Sequence, residues 1–380
     1  MTKVGITGQS GFVGTHLYNT LGLQPDKFER IPFKDEYFQN ENELQYFVKS
    51  CDVIFHLAAM NRHNEPEVIY NTNIGLVKQL IAACEATKSI PHVFFSSSTQ
   101  EERDNLYGKS KKEGRELFEL WARSSNAQFT SLIIPNVFGP FGHPNYNSVV
   151  ATFCHQLTHN ETPKIDVNGE VKLIYVSELV TDIITRITNH ESRITNHESR
   201  ITNHAIPNTS TIKVSELLRK LQTYKSNYFG KGEIPNLDTP FDRNLWNTFL
   251  CYLDHEIFFP YHLKLNTDNR GRFIETVKLN SGGQVSFSTT VPGITRGNHF
   301  HTRKAERFAV IKGKAIIELR RIGTNKVMTF ELDGSQPCFV DMPIWHTHNI
   351  TNVGDEELYT IFWINEHFNP EDSDTYFEKV

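Results

Sequence analysis

The chain has no run of apolar residues approaching the ~20 that a bilayer span needs, so no membrane-crossing segment is expected. Its five cysteines (Cys51, Cys84, Cys154, Cys251 and Cys338) are odd in number, scattered and without a CxxC pair. That pattern argues against a disulfide framework and against a thiolate zinc site. There is no basic block and the formal charge is −5, so no nucleic-acid partner is expected, although a small anion needs only a local pocket. The opening MTKVGITG lacks the basic region, apolar stretch and small-residue cleavage site of a signal peptide, and a cytoplasmic location is the simplest expectation.

What is present is enough for two cores. At 380 residues the chain exceeds the usual size of one domain, and a hydrophobic fraction of 38% is ordinary for a folded protein. Lys3 to Thr7 reads as a short strand running directly into TGQSGFVG, with glycines at Gly8, Gly11 and Gly14, and then into an amphipathic stretch through Leu17 and Leu21. Glycines between a strand and a helix let the backbone turn tightly and approach a pyrophosphate, while the helix N-terminus faces the phosphate charge. The next strand is expected over Phe28 to Phe33. It ends at Lys34, where NAD-selective proteins carry an acid for the ribose 2′-hydroxyl, so the basic residue favours NADPH, with Arg30 as a second candidate. Asp35 and Glu36 follow at once, and a shift of one residue would reverse that preference.

Cys51 to Ala59, CDVIFHLAA, is the continuous apolar run of a parallel strand buried on both faces, and a helical stripe through Ile74, Val77, Leu80 and Ile81 follows. After HVFFSSST comes YGKSK, which places Tyr107 and Lys111 one helical turn apart. A phenol with an ordinary pKa near ~10 needs a nearby positive charge to serve as an acid/base at neutral pH.

TGQSGFVG, HLAA, the serine cluster, YGKSK and PNVFGP make the first two thirds resemble the extended short-chain dehydrogenases/reductases. The resemblance implies an α/β Rossmann-type, doubly wound parallel sheet. It also implies a proton-transferring Tyr107, a Lys111 that lowers the phenol's pKa and binds the nicotinamide ribose, and a Ser98 that steadies the reacting oxygen, with Ser97 as fallback. Cofactor contacts are then expected at Gly8, Ser10, Gly11, Phe12, Gly14, Lys34, Leu57, Ala58, Ala59 and Lys111. Asn136, Asn145 and Asn147 offer amides to a sugar or pyrophosphate, or equally form turns.

RITNHES occurs twice from Arg186 and is followed by RITNHA, so His190, His197 and His204 recur every seven residues. Tandem copies in a chain with no other repeat read as a duplicated segment at residues 186–204, tolerated in an exposed helix end or loop and dispensable for chemistry. The first domain is expected over residues 1–257 and the second over 258–380.

From Tyr261 onward short strands alternate with glycine turns, the pattern of an all-β barrel or sandwich. Within GITRGNHFHTRKAE, strand alternation lets His299 and His301 share one face while Phe300 packs away, and Glu306, expected on the neighbouring strand, supplies a carboxylate. His348 makes a fourth ligand. The series resembles a cupin, whose first motif would be carried by Gly293, His299, His301, Glu306 and Gly313 and whose second by Pro343, His348 and Asn352. Trp345 departs from the glycine usual there and is expected at the cavity rim. Imidazoles with one carboxylate suit zinc, iron, nickel or manganese, with zinc (Zn2+) a frequent choice for non-redox work. DNRGRF and TRGNHFH also resemble metal-free keto-sugar epimerases, in which the first histidine is a base; Arg270 is a substrate candidate on the same ground.

A reductase followed by a cupin, with NYNSVVATFC, PGITRGNHFH and DTYFEKV, resembles the bifunctional capsular-polysaccharide enzymes of bacteria over nearly the whole chain. The resemblance implies a UDP-linked 4-keto-6-deoxy amino sugar as partner: the cupin epimerises C3 and the reductase then reduces the C4 ketone with NADPH. The base at C3 is unassigned, with His346 and Tyr359 as weak candidates. The competing reading is a single-activity nucleotide-sugar reductase or epimerase whose cupin only binds substrate or supports assembly. A homodimer through Tyr261 to Val285 is expected.

Overall fold

The computed structural model describes residues 1–193, 200–269 and 271–380, with the backbone alone for 189–193. The chain divides into two compact units. The first comprises Met1–Phe138, Gly142–Val149 and Gly169–Lys213; the second comprises Gly139–Phe141, Val150–Asn168 and Val214–Val380. Among the described residues no helix is long and apolar enough to cross a membrane.

The first unit alternates β1 (Thr2–Thr7), α1 (Phe12–Gly22), β2 (Phe28–Ile31), α2 (Glu41–Ser50), β3 (Val53–His56), α3 (Pro66–Thr87), β4 (His92–Ser98), α4 (Leu106–Ser125), β5 (Phe129–Ile134) and β6 (Asn136–Phe138). After α5 (Val149–Thr158), which falls almost wholly in the second unit, come β7 (Glu170–Tyr175), α6 (Val176–Arg193), β8 (Ile201–Ala205) and β9 (Ser210–Lys213). The main sheet is parallel in the order β2-β1-β3-β4-β5-β8. Its central strands are buried on both faces, as their continuous apolar runs require. This is the expected Rossmann-type doubly wound sheet. Strand β2 stops at Ile31, short of Phe33, because Pro32 has no N–H for the ladder.

The repeated segment is not confined to a helix end or loop. Its first copy continues α6, with Ile187 buried in the core, whereas its last copy forms β8, with Ile201 paired to Phe129 and Ala205 to Ile133. Residues 194–199, which include His197, lie outside the described residues.

The second unit carries α7 (Val214–Lys231), β10 (Glu233–Ile234), α8 (Pro240–Leu250) and α9 (His255–Phe258), so its helices begin well before the expected domain start at 258. Then follow β11 (Tyr261–His262), β12 (Leu265–Asp268), β13 (Gly271–Ile274), β14 (Lys278–Leu279), β15 (Gln284–Thr290), β16 (Thr295–Phe300), β17 (Glu306–Lys312) and β18 (Lys314–Arg321). Last come β19 (Val327–Asp333), β20 (Cys338–Met342), β21 (His346–Asn352), β22 (Leu358–Ile364) and β23 (Tyr376–Phe377). Two five-stranded sheets result, β11-β20-β17-β22-β15 and β19-β18-β21-β16-β23, the all-β architecture expected of a cupin. Inward residues of both, among them Ala309, Val310, Ile317, Leu319, Val340 and Ile350, share one core. A buried Arg307 joins α7 to this barrel. Its guanidinium meets Asp341 at 2.7 and 2.9 Å and the Gly232 carbonyl at 2.7 Å, and Tyr228 Oη also donates to Asp341. A charge buried this deeply is tolerable only because its donors are so closely partnered.

Candidate active sites

In the first unit the glycine loop and the loop after β3 build one cradle. Gly8 adopts φ +71°, and a side chain there would run into the Ala58 backbone at 2.8 Å; at Gly14 it would meet the Gly8 carbonyl at 2.2 Å. Leu57 and Ala58 are hydrogen-bonded to Thr7, through its carbonyl (3.2 Å) and its hydroxyl (3.4 Å), which holds Leu57–Ala59 beside Gly8. Helix α1 starts at Phe12 behind Gly11 with no side-chain cap and no acid in its first turn, so its N-terminal N–H groups remain for an anion. These features fit a dinucleotide. Lys34 is exposed at the end of β2, while the adjacent Asp35 carboxylate accepts a hydrogen bond from Ser10 Oγ at 3.3 Å. Both a basic and an acidic side chain thus stand where a ribose 2′ position is read.

Asn105 caps α4 by accepting from Gly108 N at 2.7 Å and so sets the first turn that carries Tyr107. Asn73, buried on α3, bonds both the Met60 backbone and Ser110 Oγ, tying the loop after β3 to α4. Lys111 is 4% exposed, with its Nζ 5.8 Å from the centre of the Tyr107 ring and 3.4 Å from Ser96 Oγ. Burial pushes the Lys111 ammonium down to about 8, against the pull of Glu101. The Tyr107 phenol is pushed up to about 12, by burial first and by the Tyr146 phenol second. The expected lowering of the phenol by Lys111 is therefore absent here: the ammonium hydrogen-bonds Ser96 and desolvation dominates. The phenol therefore holds its proton at neutral pH, with a pKa well above the range to which a general acid/base is best matched.

Ser98 stands at the end of β4, its Oγ accepting from Gln100 N at 3.2 Å, and Ser97 Oγ donates to Glu101. Arg115 grips that same Glu101 carboxylate through Nε at 3.1 Å and Nη2 at 3.0 Å. Of the amides, Asn136 Nδ2 donates to the Lys172 carbonyl at 3.2 Å, and Asn145, at φ +58°, gives its carbonyl to Arg62 at 2.9 Å. Asn147 is exposed, and Arg270 lies outside the described residues. Tyr146, not anticipated from sequence, accepts from Asn61 N at 3.1 Å and brings its phenol into the field of Tyr107. It lies inside NYNSVV, where the asparagines drew attention first.

In the second unit His299, His301, Glu306 and His348 present ligand atoms that all lie within 4.8 Å of one another. Glu306 is not on the strand beside β16, as expected. It opens β17 in the opposite sheet, so the four groups converge from both walls of the barrel. On one wall His299 pairs directly with His348 across β16 and β21, and a bulge at Asn298 (φ +60°) re-aims the strand just before His299. His348 Nε2 and His301 Nε2 lie 2.9 and 3.3 Å from Glu306 Oε2, yet none of the three atoms has a satisfying hydrogen-bond geometry although all are buried. The other ring nitrogens are engaged: His301 Nδ1 by the Asp374 carbonyl and His348 Nδ1 by the His346 carbonyl at 3.2 Å. Donation from Nδ1 leaves each Nε2 lone pair facing inward. Burial alone would raise the Glu306 carboxyl, but His301 and His348 override it and hold it well below the usual carboxylate range. Burial and the neighbouring His348 push His299 down to about 4, so its imidazole is neutral near pH 7. Three neutral-capable imidazoles and a carboxylate with orphaned, convergent atoms fit a divalent cation.

The remaining candidates fall elsewhere. Tyr359 pairs with Lys312 at the far end of the strand pair that begins at Glu306 and Ile364, and its Oη donates to Glu357 at 3.1 Å. His346 Nδ1 donates to the Ile344 carbonyl at 3.0 Å, and its ring faces that of His255 at 5.6 Å; burial pushes it down to about 3. Trp345 is not at a cavity rim: it is buried and stacked on the outward-facing Phe300 at 5.7 Å. It takes φ +60°, the left-handed conformation that explains why glycine would be the usual residue there.

Residues 4–202 match the NAD dependent epimerase/dehydratase family and residues 266–376 match the polysaccharide biosynthesis C-terminal domain. The UDP-2-acetamido-2,6-beta-L-arabino-hexul-4-ose reductase of Pseudomonas aeruginosa is 34% identical over 380 residues, covering 98% of either chain. The crystal structure of the capsular polysaccharide assembling protein CapF from Staphylococcus aureus is 32% identical, covers all of both chains and superimposes with a TM-score of 0.60. The Bordetella bronchiseptica enzyme WbmF, solved with NADH, shares the fold at 15% identity and a TM-score of 0.54, over 66% of this chain and 91% of its own. The chain belongs to the NAD dependent epimerase/dehydratase family, with a polysaccharide biosynthesis domain as its second part.

Proposed function

We propose that this protein is a bifunctional enzyme of surface-polysaccharide synthesis, an epimerase and a reductase acting in turn on one UDP-linked 2-acetamido-2,6-dideoxy-hexos-4-ulose. Its product would be a UDP-N-acetyl-6-deoxytalosamine. The observation that carries the reading is two chemically different clusters: a Tyr107–Lys111 pair in the same unit as a dinucleotide cradle, and three histidines converging with Glu306, of which His301, His348 and Glu306 present buried, unsatisfied atoms. The name of the P. aeruginosa relative, a reductase of a UDP-linked hexul-4-ose, supports the substrate class.

At the second site His299, His301, Glu306 and His348 would hold a metal, zinc being well suited to the donor set. When bound, the cation supplies stabilisation of the negative charge that develops on the C4 oxygen as the C3 proton leaves. The chain's own part is to hold three ring nitrogens and one carboxylate oxygen on a common point, with the rings fixed from behind by the Asp374 and His346 carbonyls.

At the first site the nicotinamide supplies hydride to C4 when NADPH is bound. Tyr107 would then give its proton to the C4 oxygen, with the Lys111 charge, present below about pH 8, beside it. Ser98 is the proposed second donor to that oxygen. Thr99, Gln100 and Glu101 follow Ser98 without the acid pair that dehydration calls for, and Glu101 is itself engaged by Arg115 and Ser97, which favours reduction. Exposed Lys34 supports NADPH; Asp35 is engaged with Ser10 instead.

Two further features accord with the proposal. Val285 is more than half exposed on β15, an edge strand, which supports a homodimer through Tyr261 to Val285. The cysteines are all free, in keeping with a cytoplasmic enzyme. The test of the pairing is to add NADPH and the 4-keto UDP-sugar to protein of known metal content. The reading expects metal bound, NADPH consumed and C3 inverted in the product; reduction with C3 retained would leave a single-activity reductase. A monomer in solution scattering would remove the dimer.

A further inference from the structure

After His301 the chain must cross from one sheet to the other within four residues to deliver Glu306. Any slack in that crossing separates two ligands. The turn has no regular structure of its own, and three of its four backbone donors are taken by one distant side chain, the fourth, Ala305 N, going to Asn365. Asp374 accepts from Thr302 N at 3.1 Å, Arg303 N at 3.0 Å and Lys304 N at 3.2 Å, and from Thr302 Oγ1 at 2.6 Å. Three successive N–H groups pointing at one carboxylate form an anion nest, and here the anion belongs to the chain itself. The same residue's backbone carbonyl holds His301 Nδ1, so Asp374 touches both the ligand and the turn that leads to the next ligand.

The setting shows that Asp374 is fixed. It is 4% exposed and adopts φ +43°, an unfavourable conformation for a residue with a side chain, which lets carbonyl and carboxylate face the same turn. On either side the segment is clamped. Arg303 Nη2 reaches Asp372 at 2.8 Å, Lys304 Nζ donates to the Ser373 carbonyl, and Tyr376 and Phe377 pair with Phe300 and His299. A residue that only closed the barrel would need the strand pairing and not the carboxylate.

We propose that Asp374 is a positioning residue of the metal centre: its carboxylate sets the turn that spaces His301 from Glu306, and its carbonyl sets the tautomer and the direction of the His301 ring. The inference rests on the proposed metal reading of this site. Asp374→Asn keeps the volume but removes the charge and turns one acceptor into a donor facing backbone N–H groups.

The test uses the full chain with zinc and cobalt(II) ions as probes. Zinc affinity is measured by competition with a chromophoric chelator, the visible spectrum of the cobalt form reports ligand geometry, and circular dichroism of the metal-free protein reports folding. Asp374→Asn is expected to weaken zinc about 10- to 100-fold and to alter the cobalt spectrum. Thr302→Val, which removes one bond to the carboxylate, is expected to move both in the same direction by less, and exposed Glu371→Gln, outside the clamp, to move neither. A folded Asp374→Asn protein with wild-type zinc affinity and cobalt spectrum overturns the inference alone. Should that variant not fold, Thr302→Val decides, and its matching the wild type overturns it equally. A wild-type protein that takes up neither ion overturns the metal reading and this inference with it.

Discussion

The two sites are prepared in opposite ways. Around Tyr107 and Lys111 the neighbouring groups already satisfy one another: Lys111 on Ser96, Ser97 on Glu101, Glu101 on Arg115, Ser98 on Gln100. Around Glu306 the inward atoms of His301, Glu306 and His348 are gathered and buried without a well-formed hydrogen bond. A site that binds a large ligand by shape, through the cradle at Gly8 and Gly14, can afford internally paired side chains. One proposed to take a bare ion would have to keep its lone pairs free. The contrast explains why one site can be recognised by spacing on a helix and the other only once two sheets have been brought together.

The largest effect that would break this contrast is Glu306→Gln. It removes the one carboxylate among the ligands, and metal affinity should fall by about 100-fold or more, with C3 exchange lost and dinucleotide binding intact; metal analysis and cofactor titration read the two separately. Tyr107→Phe should do the reverse. NADPH oxidation should fall by about 100- to 10,000-fold, the usual contribution of a positioned proton donor, while exchange at C3 continues.

Trp345→Gly sets two terms against each other. Relief of the left-handed backbone is worth about 1–2 kcal/mol, and loss of a buried indole costs roughly 3–5 kcal/mol, so packing wins and urea unfolding should show a loss of about 2–3 kcal/mol. A smaller change follows from Lys111. Its charge is present below about pH 8 and lost above it, so reduction should decline as pH rises through about 8, by at most about tenfold per unit, with no such limb in C3 exchange. The same depression has a consequence for stability. The unfolded chain, with the higher lysine pKa, binds the proton that the folded chain sheds, so the cost of burying Lys111 is relieved as pH climbs from about 8 toward the ordinary lysine value. The smallest effect is expected at exposed Asn147: Asn147→Ala should leave stability within about 0.5 kcal/mol, and a raised KM for the sugar would mark it as a substrate contact.

Much of the first site was legible because its signals are local. A glycine loop between strand and helix, and a tyrosine and lysine one turn apart, need only short-range geometry. The histidines were legible as ligand types, but not their arrangement: Glu306 sits across the barrel, and the strand count between it and His301 could not say which sheet it joins. Asp374 was invisible for the same reason, since its partners lie some seventy residues earlier and nothing in DTYFEKV announces a carboxylate bound to three backbone donors. The repeat shows the limit of local reading most plainly. Ile-Thr-Asn-His is helical at 187–190 and extended at 201–204, because one copy continues an amphipathic helix with Ile187 in the core and the other is drawn onto the free edge of β5. Tertiary context overrides a propensity that is the same in both.

The central claim is that the metal cluster and the tyrosine centre perform separate steps on one sugar. It is tested most directly by incubating metal-replete protein with the 4-keto UDP-sugar in deuterated water without NADPH and recording the C3 position by NMR. Deuterium at C3 in the wild type and in Tyr107→Phe, and none in Glu306→Gln, is the predicted result. Absence of exchange in the wild type, or exchange that survives in Glu306→Gln, would contradict it.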